Sequence, residues 1–200
     1  MRYIFIIIIF FNASFCFSQS ADEYYFRGLK FASRAEYQNA IKSFTRVVEI
    51  NPTYYRAYLK RGISYHKISD LSNAIADYSM AIEINPKFAE AYSYRGLAKL
   101  DMGDNSGAVV DLDMSIKLNP NFSKAIFNRG QAKYRMKDFS GALVDFNNVI
   151  YLDPFNAHAF MKRGMSYYGN GELEKACEDW DKAADMGWND VYEYIRDYCR

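Results

Sequence analysis

The 200-residue chain has no surplus of charge of either sign: Lys and Arg number 25, Asp and Glu 24, and the formal net charge is +1. Such a surface has no field with which to neutralise a phosphate backbone, so nucleic acid is not the expected partner. Proline is scarce at 4 and glycine stands at 11, too few for a collagenous or low-complexity chain. No apolar run approaches the roughly 20 residues of a transmembrane helix. Signatures of catalysis are missing too. There is no Gly-rich phosphate loop, His-Glu-x-x-His, Cys-x-x-Cys or Gly-x-Ser-x-Gly stretch, and the two histidines, His66 and His158, stand apart. Cysteine occurs three times, and two cysteines with two distant histidines do not make a metal site. The expectation is therefore a protein that is not an enzyme and carries neither cofactor nor metal.

What is present is 50% apolar and 24% charged, the composition of a soluble globular chain. Aromatic residues reach 18%, with 18 tyrosines, and those rings need a core or a groove. Met1 and Arg2 precede an unbroken apolar run at Ile4–Phe11, followed by Asn12, Ala13 and Ser14. This order predicts a secretory signal peptide over residues 1–18, with cleavage after Ser18 or Ser20. Phe15 before Cys16 argues against a lipid-modified N-terminus. Cleavage removes Arg2 and leaves 24 basic against 24 acidic side chains. The mature chain is expected to be secreted or periplasmic, with no stable membrane insertion after cleavage; the weaker alternative is a segment retained as a membrane anchor.

A fixed period then governs the rest. Arg-Gly recurs at Arg27-Gly28, Arg61-Gly62, Arg95-Gly96, Arg129-Gly130 and Arg163-Gly164, a step of 34 residues. Ala40, Ala74, Ala108, Ala142 and Ala176 keep the step, as do Pro52, Pro86, Pro120 and Pro154. Within a repeat, apolar residues such as Tyr58, Gly62 and Tyr65, then Ala74, Tyr78 and Ala81, form one stripe on each of two helices. Asp70, Asp104 and Asp138 stand where a second helix begins and can cap its free N–H groups. Proline ends that helix. Gly62 and Ala74 let the two helices approach, with Tyr58 and Tyr78 filling the wider gap beyond. A lone hairpin cannot bury both faces, so neighbours must stack into a solenoid.

The order of aromatic, Gly, aromatic, Ala, aromatic and Pro resembles the tetratricopeptide repeat family. Tyr24, Gly28, Phe31, Ala40, Phe44 and Pro52 carry it in the first repeat, and Phe160, Gly164, Tyr167, Ala176 and Trp180 in the fifth. The resemblance implies an all-α fold: a right-handed α-solenoid of five antiparallel helical hairpins at 21–54, 55–88, 89–122, 123–156 and 157–190, plus a capping helix at 190–200. Lys99 and Lys133 replace the first-helix aromatic, which is expected to weaken packing in repeats three and four. Ile126 and Leu112 are aliphatic where rings are usual, and Trp188 holds the fifth proline position.

Where that family usually has leucine, this chain has arginine, and Asp77, Asp111, Asp145 and Asp179 recur in the second helix. Each Arg and Asp lies about one 100° step from the Gly–Ala contact, on the same flank. The spacing predicts ion pairs Arg61–Asp77, Arg95–Asp111, Arg129–Asp145 and Arg163–Asp179 within repeats, or else between neighbours. Arg27 is expected to lack a partner, because Ser43 holds its carboxylate position. The ladder reads as packing specificity rather than acid–base chemistry. At the C-terminus, Val191, Ile195 and Tyr198 have helical spacing. Cys177 and Cys199 lie equally far from Trp188 and come to the same height in a hairpin. In an oxidising compartment they form a disulfide; the alternative is two buried thiols, since Cys177 shares the column of Ile41, Ile75, Val109 and Leu143.

The resemblance implies a concave face lined by the first helices. Its candidate partner-binding residues are Tyr25, Leu59, His66, Phe127, Gln131, Tyr134, Met161, Met165 and Tyr168, with Leu29, Ala32, Ile63, Ser93, Leu97 and Leu100 between them. Such an apolar, aromatic groove suits an extended or helical segment of another protein. Part of the set is expected to pack helix on helix instead. Family members that grip an acidic C-terminal tail use Lys and Asn where this chain has Tyr25 and Leu29, or Leu59 and Ile63, so that function is not implied. The expected function is an exported protein-binding module or scaffold. The alternative is an assembly subunit using its convex side or ends.

Overall fold

The computed structural model describes residues 21–199, and among them every regular element is helical. The expected export segment, with Cys16 and both cleavage sites, lies outside the described residues. Helix α1 covers 21–33. It is followed by α2 (Tyr37–Ile50), α3 (Tyr55–Lys67), α4 (Leu71–Ile84), α5 (Ala89–Asp101) and α6 (Asn105–Leu118). Then come α7 (Ser123–Arg135), α8 (Phe139–Leu152), α9 (Ala157–Gly169) and α10 (Leu173–Asp185). A 3₁₀ turn at Asn189–Val191 leads into the short α11 (Tyr192–Tyr194) and a π turn at Ile195–Cys199. Among the described residues no helix is long and apolar enough to cross a membrane.

The local chemistry of each hairpin is repeated. Asp70, Asp104 and Asp138 accept hydrogen bonds from the backbone N–H groups of Asn73, Gly107 and Gly141, satisfying donors that α4, α6 and α8 leave free. Between first and second helix the chain turns through a left-handed residue once per repeat, at Ala35, Ser69, Gly103, Lys137 and Gly171. Two of those five positions hold glycine, which is why the turn is hard to see in the sequence.

The chain divides at Ala98 and Lys99 into two compact units, with the boundary inside α5. In the first unit α2 packs on α3 and α3 on α4. Phe44 and Tyr78 are wholly buried, as are Ala40, Ala74, Ala57 and Ala91. The ring of Tyr78 lies directly over Gly62: a Cβ there would sit 2.7 Å from the ring and 3.2 Å from the Ala74 carbonyl. Tyr78 thus occupies the closest approach rather than the gap beyond it. In the second unit α6 to α10 pack in sequence order, around Leu112, Phe146 and Trp180. There a Cβ at Gly164 would sit 2.6 Å from the indole of Trp180.

The C-terminal segment is more irregular than the expected capping helix. Eleven residues sustain little helix by themselves. What holds the segment is the burial of Val191 and Ile195 with Trp180 and Ala183, and a ring contact of 5.2 Å between Tyr194 and Trp180.

Candidate functional site

The first-helix face is built from side chains that the packing of Gly and Ala columns leaves outside the core. In the first unit Tyr25 is stacked on Tyr54 at 5.0 Å and leans on Phe44 at 5.7 Å. The Tyr54 hydroxyl donates to Asp22. Burial, reinforced by Asp22, pushes the Tyr54 hydroxyl up to about 12. Burial also raises Tyr25, with Arg56 opposing it. Ile63, His66 and Leu97 are half-buried. Leu59 is only 2% exposed and Ser93 is buried, so both are packing residues and not contact residues.

In the second unit the face borders two clefts. Phe127 lies 5.5 Å from Phe146 and 4.6 Å from His158, and His158 in turn stacks on Trp188 at 4.8 Å with planes 10° apart. A cleft of about 350 Å³ opens here, lined by Ser123, Lys124, Phe127, Val149, Asn156 and His158. Burial lowers the His158 pKa, the nearby Lys162 lowers it further, and Asp190 opposes both. A second cleft of about 410 Å³ is bounded by Met161, Lys162 and Met165 on α9 and by Asn189, Asp190, Glu193 and Tyr194 of the C-terminal segment. Burial, then Arg135, lowers the Lys162 pKa. Gln131 and Tyr134 are half-buried. Met161 is 7% exposed and Leu100 is buried, again packing residues. Tyr168 is exposed, with its ring 4.7 Å from that of Tyr198.

The charged columns form a register of their own. Arg61 meets Asp77 through two hydrogen bonds of 2.8 and 2.7 Å. Arg129 meets Asp145 in the same way at 3.0 and 2.5 Å, and Arg163 meets Asp179 twice at 2.7 Å. The third donor of each arginine reaches back to the preceding hairpin: Arg61 to Thr45, Arg129 to Asp113, Arg163 to Asn147. Each guanidinium therefore binds within its own repeat and across to the one before. Arg95 donates to Ser79 in the first unit, and Asp111 lies 2.8 Å from Lys99 in the second.

Two expectations need correction here. Arg27 does have a partner, Glu23 one turn away on the same helix, an exposed pair at 3.0 Å. Lys99 and Lys133 do not simply weaken packing; they replace a ring with a cation aimed at a buried carboxylate, Lys133 lying 2.9 Å from Asp145. The back-reaching partners Thr45, Ser79, Asp113 and Asn147 also recur every 34 residues, a polar column that the sequence reading passed over.

Cys177 and Cys199 are joined by a disulfide, their Cα atoms 5.7 Å apart. Among the described residues no group of three or more His, Cys, Asp or Glu side chains is gathered as metal ligands would be.

Comparison with protein families matches residues 65–103 to the TPR repeat and residues 127–191 to the tetratricopeptide repeat. The chain carries tetratricopeptide repeats. No curated protein matches it. Among solved structures, MamA is 23% identical with a TM-score of 0.76, over 84% of this chain and 92% of that one. YrrB, described as a TPR protein with an unusual peptide-binding site, is 22% identical with a TM-score of 0.74, over 90% and 97%. MamA from Desulfovibrio magneticus RS-1 is 15% identical with a TM-score of 0.78, over 84% and 95%. At these identities the likeness is one of fold: an all-α solenoid of TPR hairpins, a fold that serves protein interaction in general and does not choose the partner.

Proposed function

We propose that this TPR chain is an exported protein-binding module that holds a segment of a partner protein along the face of its first helices. The observation that carries the reading is the second unit's pair of open clefts, where Phe127, His158 and Met165 remain accessible beside buried packing residues. Rings and methionine at a wet cleft offer apolar contact area, and flanking polar groups can pair with a peptide backbone. The peptide-binding site named for YrrB supports this use of the fold. Export rests on the order of charge, apolar run and small residues in the first 18 residues. The Cys177–Cys199 disulfide fits the same assignment, since an oxidising compartment would maintain it.

A second reading, assembly through the second-helix side, is favoured by Val110 and Val144, which are about two-thirds exposed on α6 and α8. Photo-crosslinkers placed singly at Phe127, Met165 and Val144 in cells that make the protein separate the two. The expected result is adducts from Phe127 and Met165, a captured mature chain beginning at Gln19 or Ala21, and about tenfold less capture from Met165 when Phe127→Asp is added. Capture from Val144 alone, or indifference to Phe127→Asp, overturns the binding-face reading.

A further inference from the structure

We infer that the C-terminal segment 189–199 is a redox-latched lid over the methionine end of the first-helix face; its consequence for binding rests on the function proposed above. The segment is pinned at two ends. At its start Trp188 stacks on His158, and at its end Cys199 is bonded to Cys177 of α10. Between the pins, Tyr194, Glu193 and Asp190 form one wall of the cleft whose other wall is Met161, Lys162 and Met165. Met161 and Trp180 are buried in the cluster that Val191 and Ile195 complete. The secondary structure of the segment is a 3₁₀ turn, three α-helical residues and a π turn, too little to persist without its anchors.

The latch is placed where other repeats have a plain aliphatic residue. Cys177 occupies the column of Ile41, Ile75, Val109 and Leu143, and both of its sulfur-bearing residues are half-buried rather than sealed in the core. A dithiol reductant, protein or small molecule, can therefore reach it. One thiolate attacks a sulfur of the pair and forms a mixed disulfide, and the second thiol displaces the protein sulfur. Two electrons pass to the protein, which is left with thiols at Cys177 and Cys199, while the reductant becomes a disulfide. The loop that the bond had closed, 22 residues apart in sequence, is then free, and the lid lifts from Met161.

The test compares the full chain in its oxidised form, after dithiothreitol, and as the Cys177→Ser, Cys199→Ser double variant. Amide hydrogen exchange over 189–199 should rise about a hundredfold in the reduced and double-variant proteins, the order expected for opening a loop of this length. Exchange in α6 to α8 should stay the same, which separates lid opening from unfolding. In the double variant, oxidation of Met161 by dilute peroxide, read by mass spectrometry, should approach the rate at exposed Met102, while in the oxidised wild type it lags far behind. Equal exchange of 189–199 in all three proteins, or a Met161 that stays protected in the double variant, overturns the lid. These readouts need no partner. A lid that opens while the Phe127 crosslinks fail removes the binding-face reading and leaves the latch standing.

Discussion

Three side chains sit in left-handed backbone without being glycine: Ala35 at φ 59°, Ser69 at 63° and Lys137 at 62°. A Cβ in that region crowds the following carbonyl, and the same position in two other repeats is filled by Gly103 and Gly171. Lys137→Gly should therefore stabilise the protein, by about 0.5–1 kcal/mol after the extra freedom glycine gives the unfolded chain is allowed for. The urea midpoint should rise at unchanged slope, and a midpoint that falls would show that the lysine side chain contributes more than its backbone costs. Glycine at Gly62 and Gly164 has the opposite meaning. Both are helical, and they are small because the rings of Tyr78 and Trp180 lie within 3 Å of where a Cβ would be. The sequence shows that something small is needed there; it does not show that the neighbour is a ring of the second helix.

At the scale of elements, the two helices of a hairpin are joined by buried charge as well as by apolar contact. Asp145 is 1% exposed and receives two hydrogen bonds from Arg129 and a contact from Lys133, while Arg129 also holds Asp113 of the preceding hairpin. Asp145→Ala would leave two cations facing a desolvated gap, at a cost of about 3–5 kcal/mol. Arg27→Ala, which breaks only the exposed pair with Glu23, should cost less than about 1 kcal/mol. The two urea curves, measured side by side, check the contrast; equal losses would mean that burial is not what gives the ladder its weight. That Arg61, Arg129 and Arg163 meet the aspartates of the second-helix column was readable from the period, while the choice between the same repeat and a neighbour was left open and is made by the structure in favour of the same repeat. The reach of the same arginines to Thr45, Asp113 or Asn147 was not readable, because it depends on how far the next hairpin is rotated.

At the scale of the whole molecule, His158 links global stability to pH. It is packed between Phe127 and Trp188, with Lys162 and Asp190 the charged groups beside it. Its folded-state pKa is lowered, so below the ordinary histidine value the unfolded chain takes up the proton more readily than the folded one. Stability is therefore full above about pH 6.5 and declines as the pH falls through the window between that value and the lowered one. His158→Phe, which keeps the ring and removes the proton site, should flatten the difference between urea midpoints at pH 5.5 and 7.5. An unchanged difference would assign the acid sensitivity to other groups.

The sequence alone determined that this is a chain of helical hairpins, because a 34-residue period, apolar stripes at helical spacing, Asp caps and proline stops are local signals that every repeat restates. It also determined which columns carry small residues and which carry charge. Only the tertiary structure decided which side chains of the first-helix face are open. Leu59 reads like Phe127 and Met165 in the sequence, yet it is covered and the latter two border clefts. Periodicity assigns a residue to a face of its own helix. Burial depends on what a neighbouring hairpin or the C-terminal segment lays over that face, and those neighbours are remote in sequence.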